Sequence, residues 1–440
     1  MPAAADSFVD SVGIVTHLRY VETAYAQNWE KADPSQNVPE LLGALGIRHV
    51  RDGIPHPTLQ KASAYVRPRA AQLFRDYGIR FILMPDVRKN NIPDSSQLAP
   101  YLNEYANGVI NLDGENIRVR DMAEAIEGPN EYDNHNHPNQ RDPNWVRNLK
   151  NYQAEIYRNV KRNPILASLP VVMPALIYTK YCSDNLGSFE GTIDVGNLHP
   201  YPNYPYFRIP TQDLAWHLSH GKDCFGNKPV YVTEVGYQSG KTGISDQTIA
   251  KYTSVLLPEF FLRPQIKRTY IYSLVDTAPE TDRWGLIHPT RNGQKINGLE
   301  QFTLTPKPSY YAVKSLLNLF REGKWVPSQK QWVSPSVALK PVNITFAGKQ
   351  SSTHHLLLQK STGDYFLLIW QETESFNPTK GNFNLPSDEV SISLANGYRF
   401  KTLYEYDNSF NFRTTVLSKA SNTVTVQVPD KVMVLNFRAG

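Results

Sequence analysis

Two acidic residues, Glu131 and Glu234, stand where the sequence could present a reactive pair of carboxyl groups. Each lies at the end of an apolar run typical of a buried strand, within residues 126–132 and 230–236, with turn-forming or polar residues just beyond. Functional side chains of a parallel barrel lie at such strand ends, so both groups could face one pocket. One carboxyl group could protonate the leaving oxygen of a glycosidic bond while the other attacks the anomeric carbon or activates water.

Eight strand-like runs, each followed by a helix or by sequence of helix length, make up most of the chain. Such alternation predicts parallel strands, and eight of them predict an α/β fold of the closed (β/α)₈ TIM-barrel type. The predicted strands are 12–15, 47–51, 81–84, 122–126, 169–173, 193–199, one beginning at Val230, and 269–273. The predicted helices are 39–45, 62–77, 98–106, 145–162, one around Leu214, 245–261 and 308–320.

The pattern changes near residue 327, where short alternating strands are separated by Gly, Asn, Asp and Pro turns. This pattern predicts a C-terminal antiparallel β-sandwich, which we expect to brace the barrel. We therefore predict a catalytic barrel over residues 8–325 and an accessory sandwich over residues 326–440. The predicted sandwich strands are 356–360, 365–371, 390–394, 400–406, 423–428 and 432–437.

Four short segments resemble those of clan A glycoside hydrolases. Residues 128–131, Gly-Pro-Asn-Glu, resemble the Asn-Glu motif that ends strand four in that clan, and residues 231–236 resemble its strand-seven nucleophile segment. Residues 198–202 are similar to the His-x-Tyr end of strand six, and residues 307–312 resemble the start of the last helix. The resemblance covers residues 8–322, and the barrel followed by a sandwich is most similar to family 39 and related exopolysaccharide-cleaving hydrolases.

The resemblance implies that Glu131 is the general acid/base and Glu234 the nucleophile of a retaining mechanism. Retention requires the two carboxyl groups to lie about 5 to 5.5 Å apart, and we expect a raised pKa for Glu131 and an ionised Glu234. Arg51, at the end of strand two, is expected to keep Glu234 ionised because a fixed cation favours the carboxylate. Tyr201 is expected to donate a hydrogen bond to Glu234. Glu127 is interpreted as an inward structural carboxylate.

Polar and aromatic residues near the strand ends are the predicted substrate contacts. Asn130 is expected to bind the sugar hydroxyl next to the reacting carbon. His199 either orients its neighbours and touches sugar or is a buried structural residue. Many clan members carry Trp at the end of strand eight, where this chain has Tyr272, so Tyr272 or Trp284 is expected to form the floor of the cleaving subsite. Trp145 is a further candidate stacking ring.

Composition excludes several classes of protein. The net charge of +5 is dispersed, so no nucleic-acid partner is expected, and no apolar run approaches the roughly 20 residues of a membrane span. His135 and His137, in the Asn-rich loop 133–138, lack a clustered third ligand, so we predict no metal and no cofactor. Cys182 and Cys224 could form a disulfide or remain free thiols. The first residues show no signal sequence, and we expect a secreted or periplasmic protein whose signal is absent from this sequence.

Three other functions share these residues. An inverting hydrolase would hold the same carboxyl groups about 6.5 to 9.5 Å apart. A carbohydrate-binding protein could use the same scaffold without turnover, because a fold does not by itself specify activity. A transglycosidase would use the same covalent intermediate. In every case the expected partner is an oligosaccharide or polysaccharide, and the sequence leaves the sugar, the linkage and endo or exo cleavage open.

Overall fold

A computed structural model of the chain describes residues 1–89, 92–134, 142–202, 208–240, 243–277, 281, 283–417 and 421–440. Eight parallel strands form its central sheet. They are β1 (Val12–Val15), β2 (His49–Arg51), β3 (Arg80–Leu83), β4 (Ala123–Glu127), β5 (Val171–Val172), β6 (Gly196–Leu198), β7 (Val230–Val235) and β8 (Ile266–Ile271).

The sheet closes into a barrel. Its strands pair in the order β5-β4-β3-β2-β1-β8-β7-β6, so that β5 and β6 are the two ends. A parallel bridge joins Val172 to Val195, immediately before β6, and the Met173 N–H donates to the Val195 carbonyl at 2.8 Å. The predicted (β/α)₈ barrel is therefore confirmed, although β2, β5 and β6 are two, three and four residues shorter than predicted.

Seven helices surround the barrel within the described ranges, and their buried positions recur with helical spacing. They are α1 (Val38–Leu45), α2 (Gln60–Tyr77), α3 (Leu98–Asn107), α4 (Trp145–Arg162), α5 (Leu214–Phe225), α6 (Asp246–Phe261) and α7 (Pro308–Phe320). In α4 the buried residues are Leu149, Tyr152, Gln153, Ile156 and Val160, one stripe along an otherwise polar helix.

Shorter elements complete the barrel. The crossover from β5 to β6 carries a π-helical turn, Cys182–Leu186, in place of a long helix. Three antiparallel hairpins were not predicted, because their exposed polar residues give little apolar alternation. The hairpins pair Arg88–Lys89 with Ile92–Pro93, Val109–Leu112 with Glu115–Arg118, and Ile287–Ile296 with Leu299–Pro306. Short helices lie at Ala5–Asp10, Ala24–Gln27 and Val119–Met122, with single 3₁₀ turns at Pro34–Gln36, Ser95–Gln97, Glu190–Thr192 and Pro327–Gln329.

The C-terminal part is an antiparallel β-sandwich, as predicted, with more strands than the sequence indicated. One sheet contains Thr353–Gln359, Tyr365–Gln371, Met433–Ala439, Tyr398–Tyr406 and Phe412–Val416, and the other contains Ile344–Ala347, Asp388–Leu394 and Thr423–Val428. Two short hairpin pairs accompany them, Phe376–Asn377 with Gly381–Asn382 and Lys324–Val326 with Gln331–Val333.

The N-terminal residues, which precede the barrel in sequence, form part of the sandwich. Ala3–Ala4 joins the larger sandwich sheet by pairing in parallel with Thr353–Gln359, so the first residues of the chain contact the last module. The predicted division between residues 325 and 326 falls within the strand Lys324–Val326 and stays a prediction.

The sandwich packs against the outside of the barrel through α6 and α7. The Trp370 indole donates to Glu259 of α6 at 2.8 Å, and the Tyr406 hydroxyl donates to the Ala312 carbonyl of α7 at 2.9 Å. Phe320 and Phe366 meet edge to face with 5.7 Å between ring centroids. These buried contacts support a bracing role for the sandwich. No described helix is long and apolar enough to cross a membrane.

Cys182 and Cys224 form a disulfide, which resolves the alternative that the sequence left open. Both are fully buried, their Cα atoms are 5.1 Å apart, and they are separated by 42 positions in the sequence. The bridge joins the π-helical turn after β5 to α5. A cross-link over a loop of this length reduces the entropy of the unfolded chain and stabilises the native state by roughly 3 to 4 kcal/mol.

Replacing both cysteines by serine is expected to lower the free energy of unfolding by about 3 kcal/mol, since the unfolded chain regains the lost freedom. Urea unfolding at equilibrium measures the change. The wild-type protein under a strong reductant is the matched control and should lose a similar amount. Equal stability of the oxidised wild type and the double variant would contradict the prediction.

Candidate active site

The structure brings Glu131 and Glu234 together at the C-terminal mouth of the barrel. Glu234 lies within β7, and Glu131 lies four positions beyond the end of β4. A carboxylate oxygen of each residue and one ring nitrogen of His199 lie within 4.8 Å of one another. Two acidic groups far apart in sequence thus face the same space.

The backbone at Glu131 adopts an uncommon conformation. Its φ angle is 44°, in the left-handed region that a glutamate rarely occupies. The Glu131 N–H donates to the Ala175 carbonyl at 3.0 Å, which ties the residue to the segment after β5. A Cβ at Gly128 would lie 2.9 Å from Pro174 Cγ and 3.0 Å from the Pro174 backbone nitrogen, so glycine is favoured where this turn begins. The left-handed conformation of Glu131 costs on the order of 1–3 kcal/mol, and strained residues of this kind are concentrated at functional sites.

Glu234 is held by two donors. Arg51 Nη1 donates to one carboxylate oxygen, and the Tyr201 hydroxyl donates to the other at 2.7 Å. Gly236, just beyond, allows β7 to approach β8 closely, because a Cβ there would lie 2.3 Å from the Tyr272 carbonyl oxygen. The nucleophile candidate therefore has a fixed orientation before any substrate binds.

Arg51 connects the acidic residues of the site. Its Nε and Nη2 donate to the two oxygens of Glu127, each at 2.8 Å, while Nη2 also reaches Asn130 Oδ1 at 2.6 Å. Burial opposes its charge, but the carboxylates of Glu127 and Glu234 outweigh burial and raise the pKa of Arg51 above its ordinary value. The guanidinium is a permanent cation in contact with Glu234, and its predicted role towards that carboxylate stays a prediction.

Glu127 is fully buried and belongs to the structural framework. Besides Arg51, it accepts a hydrogen bond from Asn197 Nδ2 at 2.9 Å, and Thr233 Oγ1 lies 3.2 Å away. With all its bonds directed to the protein, it matches the inward structural carboxylate expected from the sequence.

His199 links the two candidate catalytic residues. Its Nδ1 lies 2.8 Å from Glu131 Oε1 and 3.7 Å from Glu234 Oε2, and its Nε2 lies 2.9 Å from Thr233 Oγ1. The Thr233 hydroxyl is 2.8 Å from Asn197 Oδ1, to which it donates, so it accepts from the Nε2–H of His199. Only Nδ1 is then left to exchange a proton with Glu131.

One proton is therefore shared between His199 and Glu131. Burial raises the pKa of Glu131, but the hydrogen bond and the charge of His199 outweigh burial and hold that pKa below its ordinary value. Burial lowers the pKa of His199, whereas the charge of Glu234 and the hydrogen bond to Glu131 raise it overall. The expectation of a raised pKa for Glu131 is wrong for the free protein, because the sequence could not show that an imidazole pairs with it.

Replacing His199 by Gln is expected to move the basic limb of the pH profile of kcat/KM to lower pH. In the wild type the pair keeps its proton until the pH rises through the raised pKa of His199, whose ordinary value is 6.5. In the variant Glu131 alone must hold the proton, and the ordinary value of a glutamate is 4.5. Profiles with a substrate that needs protonation measure the shift. His355→Gln, in the sandwich, is the matched control, and an unshifted basic limb in His199→Gln would contradict the prediction.

A cavity of about 620 Å³ opens above the two glutamates. Aromatic rings form much of its wall: Trp284 meets Tyr201 edge to face at 5.1 Å and Tyr272 at 5.8 Å. Trp145 packs against Tyr181 at 5.1 Å and is not part of the cavity lining. The described lining residues are Glu131, Ile177, Tyr178, His199, Tyr201, Asp213, Trp216, His217, Glu234, Tyr272 and Trp284.

Comparison with solved structures identifies the fold. A family 39 glycoside hydrolase from Bacteroides cellulosilyticus superposes with a TM-score of 0.56 at 12% identity, covering 100% of this chain and 82% of that chain. An α-L-arabinofuranosidase from Thermotoga maritima gives 0.61 at 11% identity, with 98% and 96% covered. A β-xylosidase from Caulobacter crescentus gives 0.57 at 12% identity, also with 98% and 96% covered.

The chain has the fold of clan A glycoside hydrolases. The resemblance inferred from the short motifs is thereby confirmed at the level of fold. No family model matches the sequence. No curated protein matches it either. At identities this low, the likeness extends to architecture alone.

A second, smaller cavity of about 300 Å³ adjoins the first within this glycoside hydrolase fold. It is lined by Arg51, Asn130 and Glu234 together with His17. His17 Nε2 is buried and has no hydrogen-bond partner among the described residues, and burial lowers the pKa of His17 to about 4. The His17 ring at the wall of this cavity is therefore neutral near pH 7. His17 lies two positions after β1, so the strand-end rule could have found it.

Sequence reasoning also missed several other residues of the site. Thr233 and Asn197, inside β7 and β6, orient His199 and Glu127 and could have been inferred only from inward-pointing strand positions. Tyr178 and Trp216 line the larger cavity from outside the strands, where no spacing rule in the sequence marks them.

Two further acidic residues near strand ends, Asp276 and Asp52, hold loops of the framework, and Asp52 also lines the smaller cavity. Asp276 is buried in contact with Lys307 at 2.9 Å and His288 at 2.8 Å. Asp52 accepts from Thr16 and from the Leu18 N–H, each at 2.8 Å. These carboxylates fix the loops around the barrel mouth.

The loop after Glu131 is described only in part. Asp133 accepts from the backbone N–H groups of Ile177 and Tyr178, each at 3.0 Å. His135 and His137, considered above as metal ligands, lie outside the described residues.

Two groups of side chains have ligand atoms close enough to hold a metal ion within the described ranges. One is Glu131, His199 and Glu234, and the other is Glu259, His354 and Glu372 at the junction with the sandwich. Hydrogen bonds already occupy most of these atoms: both nitrogens of His199 are used in the first group, and both oxygens of Glu372 accept from Thr211 in the second.

Proposed function

We propose that the chain is a retaining glycoside hydrolase that cleaves β-linked oligosaccharides or polysaccharides. The observation that carries the proposal is the separation of the two carboxyl groups, whose nearer oxygens lie within 4.8 Å. Retaining enzymes hold them about 5 to 5.5 Å apart so that one can attack the anomeric carbon, whereas inverting enzymes leave about 6.5 to 9.5 Å for a water. The separation favours direct attack.

In the first step Glu234 attacks the anomeric carbon, and Glu131 gives its proton to the departing glycosidic oxygen. The bond to the leaving sugar breaks as the ester bond to Glu234 forms. The proton shared with His199 is available at Glu131 Oε1, 2.8 Å from the imidazole Nδ1. In the second step Glu131 takes a proton from a water molecule whose oxygen attacks the anomeric carbon. The ester bond to Glu234 breaks, the sugar leaves with the new hydroxyl group, and the proton returns to the pair.

The smaller cavity is suited to the sugar that becomes attached to Glu234. Asn130 is placed to bind its 2-hydroxyl group, and the neutral His17 ring lines the same cavity. Arg51 orients both Asn130 and Glu234. Tyr272 and Trp284 provide the ring surface beside the reacting carbon, at the position where many clan members carry a single Trp. These contacts become more favourable as positive charge develops on the sugar.

The substrate class also receives support from the neighbours. Solved structures with this fold are described as a β-xylosidase, an α-L-arabinofuranosidase, a glucosidase and an endoxylanase. Pentose and hexose chains of the plant or bacterial polysaccharide type are therefore the first substrates to test.

The anomeric form of the first product tests the mechanism. A panel of 4-nitrophenyl β-glycosides and natural polysaccharides identifies a cleaved bond, and proton NMR follows the product before mutarotation. We expect the β anomer from a β-glycoside. The α anomer would show an inverting hydrolase, and binding without turnover of any substrate would favour a carbohydrate-binding protein. Products longer than the substrate would show transglycosylation.

We further propose that the protein works outside the cytoplasm, in a secreted or periplasmic location. The buried disulfide between Cys182 and Cys224 supports this proposal, because such bridges persist in oxidising compartments. Thiol alkylation and mass spectrometry of protein from its native source measure the pairing. Fully alkylated cysteines without prior reduction would contradict the proposal.

A further inference from the structure

The two cavities divide the catalytic residues between them. Glu234 lines both, Glu131 and His199 line only the larger one among the described lining residues, and Arg51 and Asn130 line only the smaller. The nucleophile therefore stands at the junction of two spaces, with the acid/base on one side and the residues that hold the 2-hydroxyl on the other.

The chemistry of cleavage determines which part of the substrate occupies each cavity. The general acid must reach the glycosidic oxygen, so the leaving group departs on the side of Glu131. Asn130 must reach the sugar that stays attached to the enzyme, so that sugar occupies the side of the smaller cavity. The wall of the larger cavity beyond Glu131 is then the surface that a leaving group contacts.

Two exposed aromatic rings, Tyr178 and Trp216, stand on that wall. Tyr178 is 44% exposed and Trp216 is 36% exposed, although both lie within a cavity that contains buried catalytic groups. Their ring centroids are 6.0 Å apart at an interplanar angle of 40°, too tilted to stack fully on each other. The His220 ring, with its centroid 4.3 Å from that of Trp216, covers part of the indole, and the remaining exposed surface of both rings can contact another molecule.

The platform formed by Tyr178 and Trp216 is fixed from behind. The Tyr178 N–H is bound by Asp133, and the Tyr178 ring meets Tyr181 edge to face at 5.2 Å. Trp216 packs edge to face against His217 at 5.0 Å, and His217 Nδ1 lies 2.8 Å from Thr179 Oγ1. The segment 178–181 and helix α5 therefore form one packed unit.

The disulfide strengthens this arrangement. It ties Cys182, four positions after Tyr178, to Cys224 in α5, the helix that carries Trp216. Both rings are therefore held on a cross-linked framework, and little conformational entropy is lost when a ligand binds.

The composition of the platform matches a sugar. Sugar rings present C–H faces that pack on flat aromatic rings, while their equatorial hydroxyls point outward to polar groups. Asp213 and His217 are polar residues that line the same cavity as Trp216.

We propose that Tyr178 and Trp216 form a subsite for the leaving-group sugar, so that the substrate extends at least one sugar beyond the cleaved bond on the side of Glu131. This inference rests on the proposed glycosidase function and specifies its substrate. The enzyme discriminates in favour of a saccharide over a small alcohol as leaving group, because only a saccharide gains the contact with the two rings.

Kinetics with two kinds of leaving group test the subsite. The 4-nitrophenyl panel first identifies the sugar that is cleaved. The β-glycosyl fluoride of that sugar, whose leaving group is a single atom, is then compared with its β-linked disaccharide and trisaccharide. For Trp216→Ala and for Tyr178→Ala, we expect kcat/KM to fall about tenfold with the saccharides, mainly through KM, and to change less than twofold with the fluoride.

Two control variants separate contact from folding. Tyr65→Ala removes a ring of similar exposure, 38%, on α2 in a different cavity, and should leave both substrates unchanged. Trp216→Phe retains an aromatic face and should recover most of the saccharide activity. Equal effects on fluoride and saccharides, or no effect on either, would overturn the subsite while leaving the glycosidase function intact. Absence of wild-type turnover on the whole panel would overturn both.

Discussion

Glu234→Ala is expected to reduce turnover of every glycoside by on the order of 10⁵-fold, because the residue that forms the covalent bond to the sugar is missing. Sodium azide should restore measurable turnover of activated aryl glycosides. The anion fits the space vacated by the side chain, beside the Arg51 cation and the Tyr201 hydroxyl that bound the carboxylate. Attack from that face yields a glycosyl azide of inverted configuration, which NMR identifies.

Two controls make this result specific. Glu234→Gln also lacks the nucleophile but leaves no space, so azide should not rescue it. Glu389→Ala removes an exposed carboxylate from the sandwich and should keep full activity. Wild-type activity in Glu234→Ala would show that Glu234 is not the nucleophile. If Glu131→Ala alone gave an α-glycosyl azide, Glu131 would be the nucleophile and Glu234 the acid/base.

Glu131→Ala is expected to discriminate between leaving groups. Sugar and alkyl leaving groups need a proton as the bond breaks, so kcat/KM should fall by roughly 10³- to 10⁴-fold with disaccharides. A 2,4-dinitrophenyl glycoside needs little protonation, and its kcat/KM should fall by about tenfold or less. The dependence of log(kcat/KM) on the pKa of the leaving phenol should therefore become steeper than in the wild type.

Azide gives a second readout of Glu131→Ala. It can replace the water of the second step without needing a base, and the resulting glycosyl azide should keep the β configuration. Equal losses across all leaving groups would contradict the acid role. In that case Glu131 would serve only to place His199, a possibility that His199→Gln tests separately through its pH profile.

The barrel could be predicted from the sequence to a large extent because its elements are specified locally. Helix α4 begins and ends at the predicted residues, since its buried residues recur with helical spacing. Helix α7 does so as well, with Pro308 at its first position, where the missing N–H has no cost. The predicted ends of the strands were less accurate. A strand ends where its hydrogen-bonded pairing ends, and that pairing depends on a neighbouring strand elsewhere in the chain.

Features that depend on distant partners escaped prediction. The parallel pairing of Ala3–Ala4 with Thr353–Gln359 joins the start of the chain to the sandwich, and nothing in these two alanines indicates it. The disulfide was one of two alternatives until the segment after β5 and helix α5 were found side by side. The hairpin Ile287–Ile296 with Leu299–Pro306 is mostly exposed and has no apolar pattern to mark it.

By itself the sequence indicated which residues could carry chemistry and in what order the strands present them. Glu131 follows β4 and Glu234 lies near the end of β7, and the barrel geometry then requires that both face its C-terminal mouth. Tertiary structure alone decided their protonation and the shape of the substrate space. His199 lies 68 positions from Glu131 in the sequence but 2.8 Å from it in space, and its charge reverses the direction in which burial would shift the pKa of that carboxyl. Electrostatic interactions depend on distance in space, and only folding sets that distance.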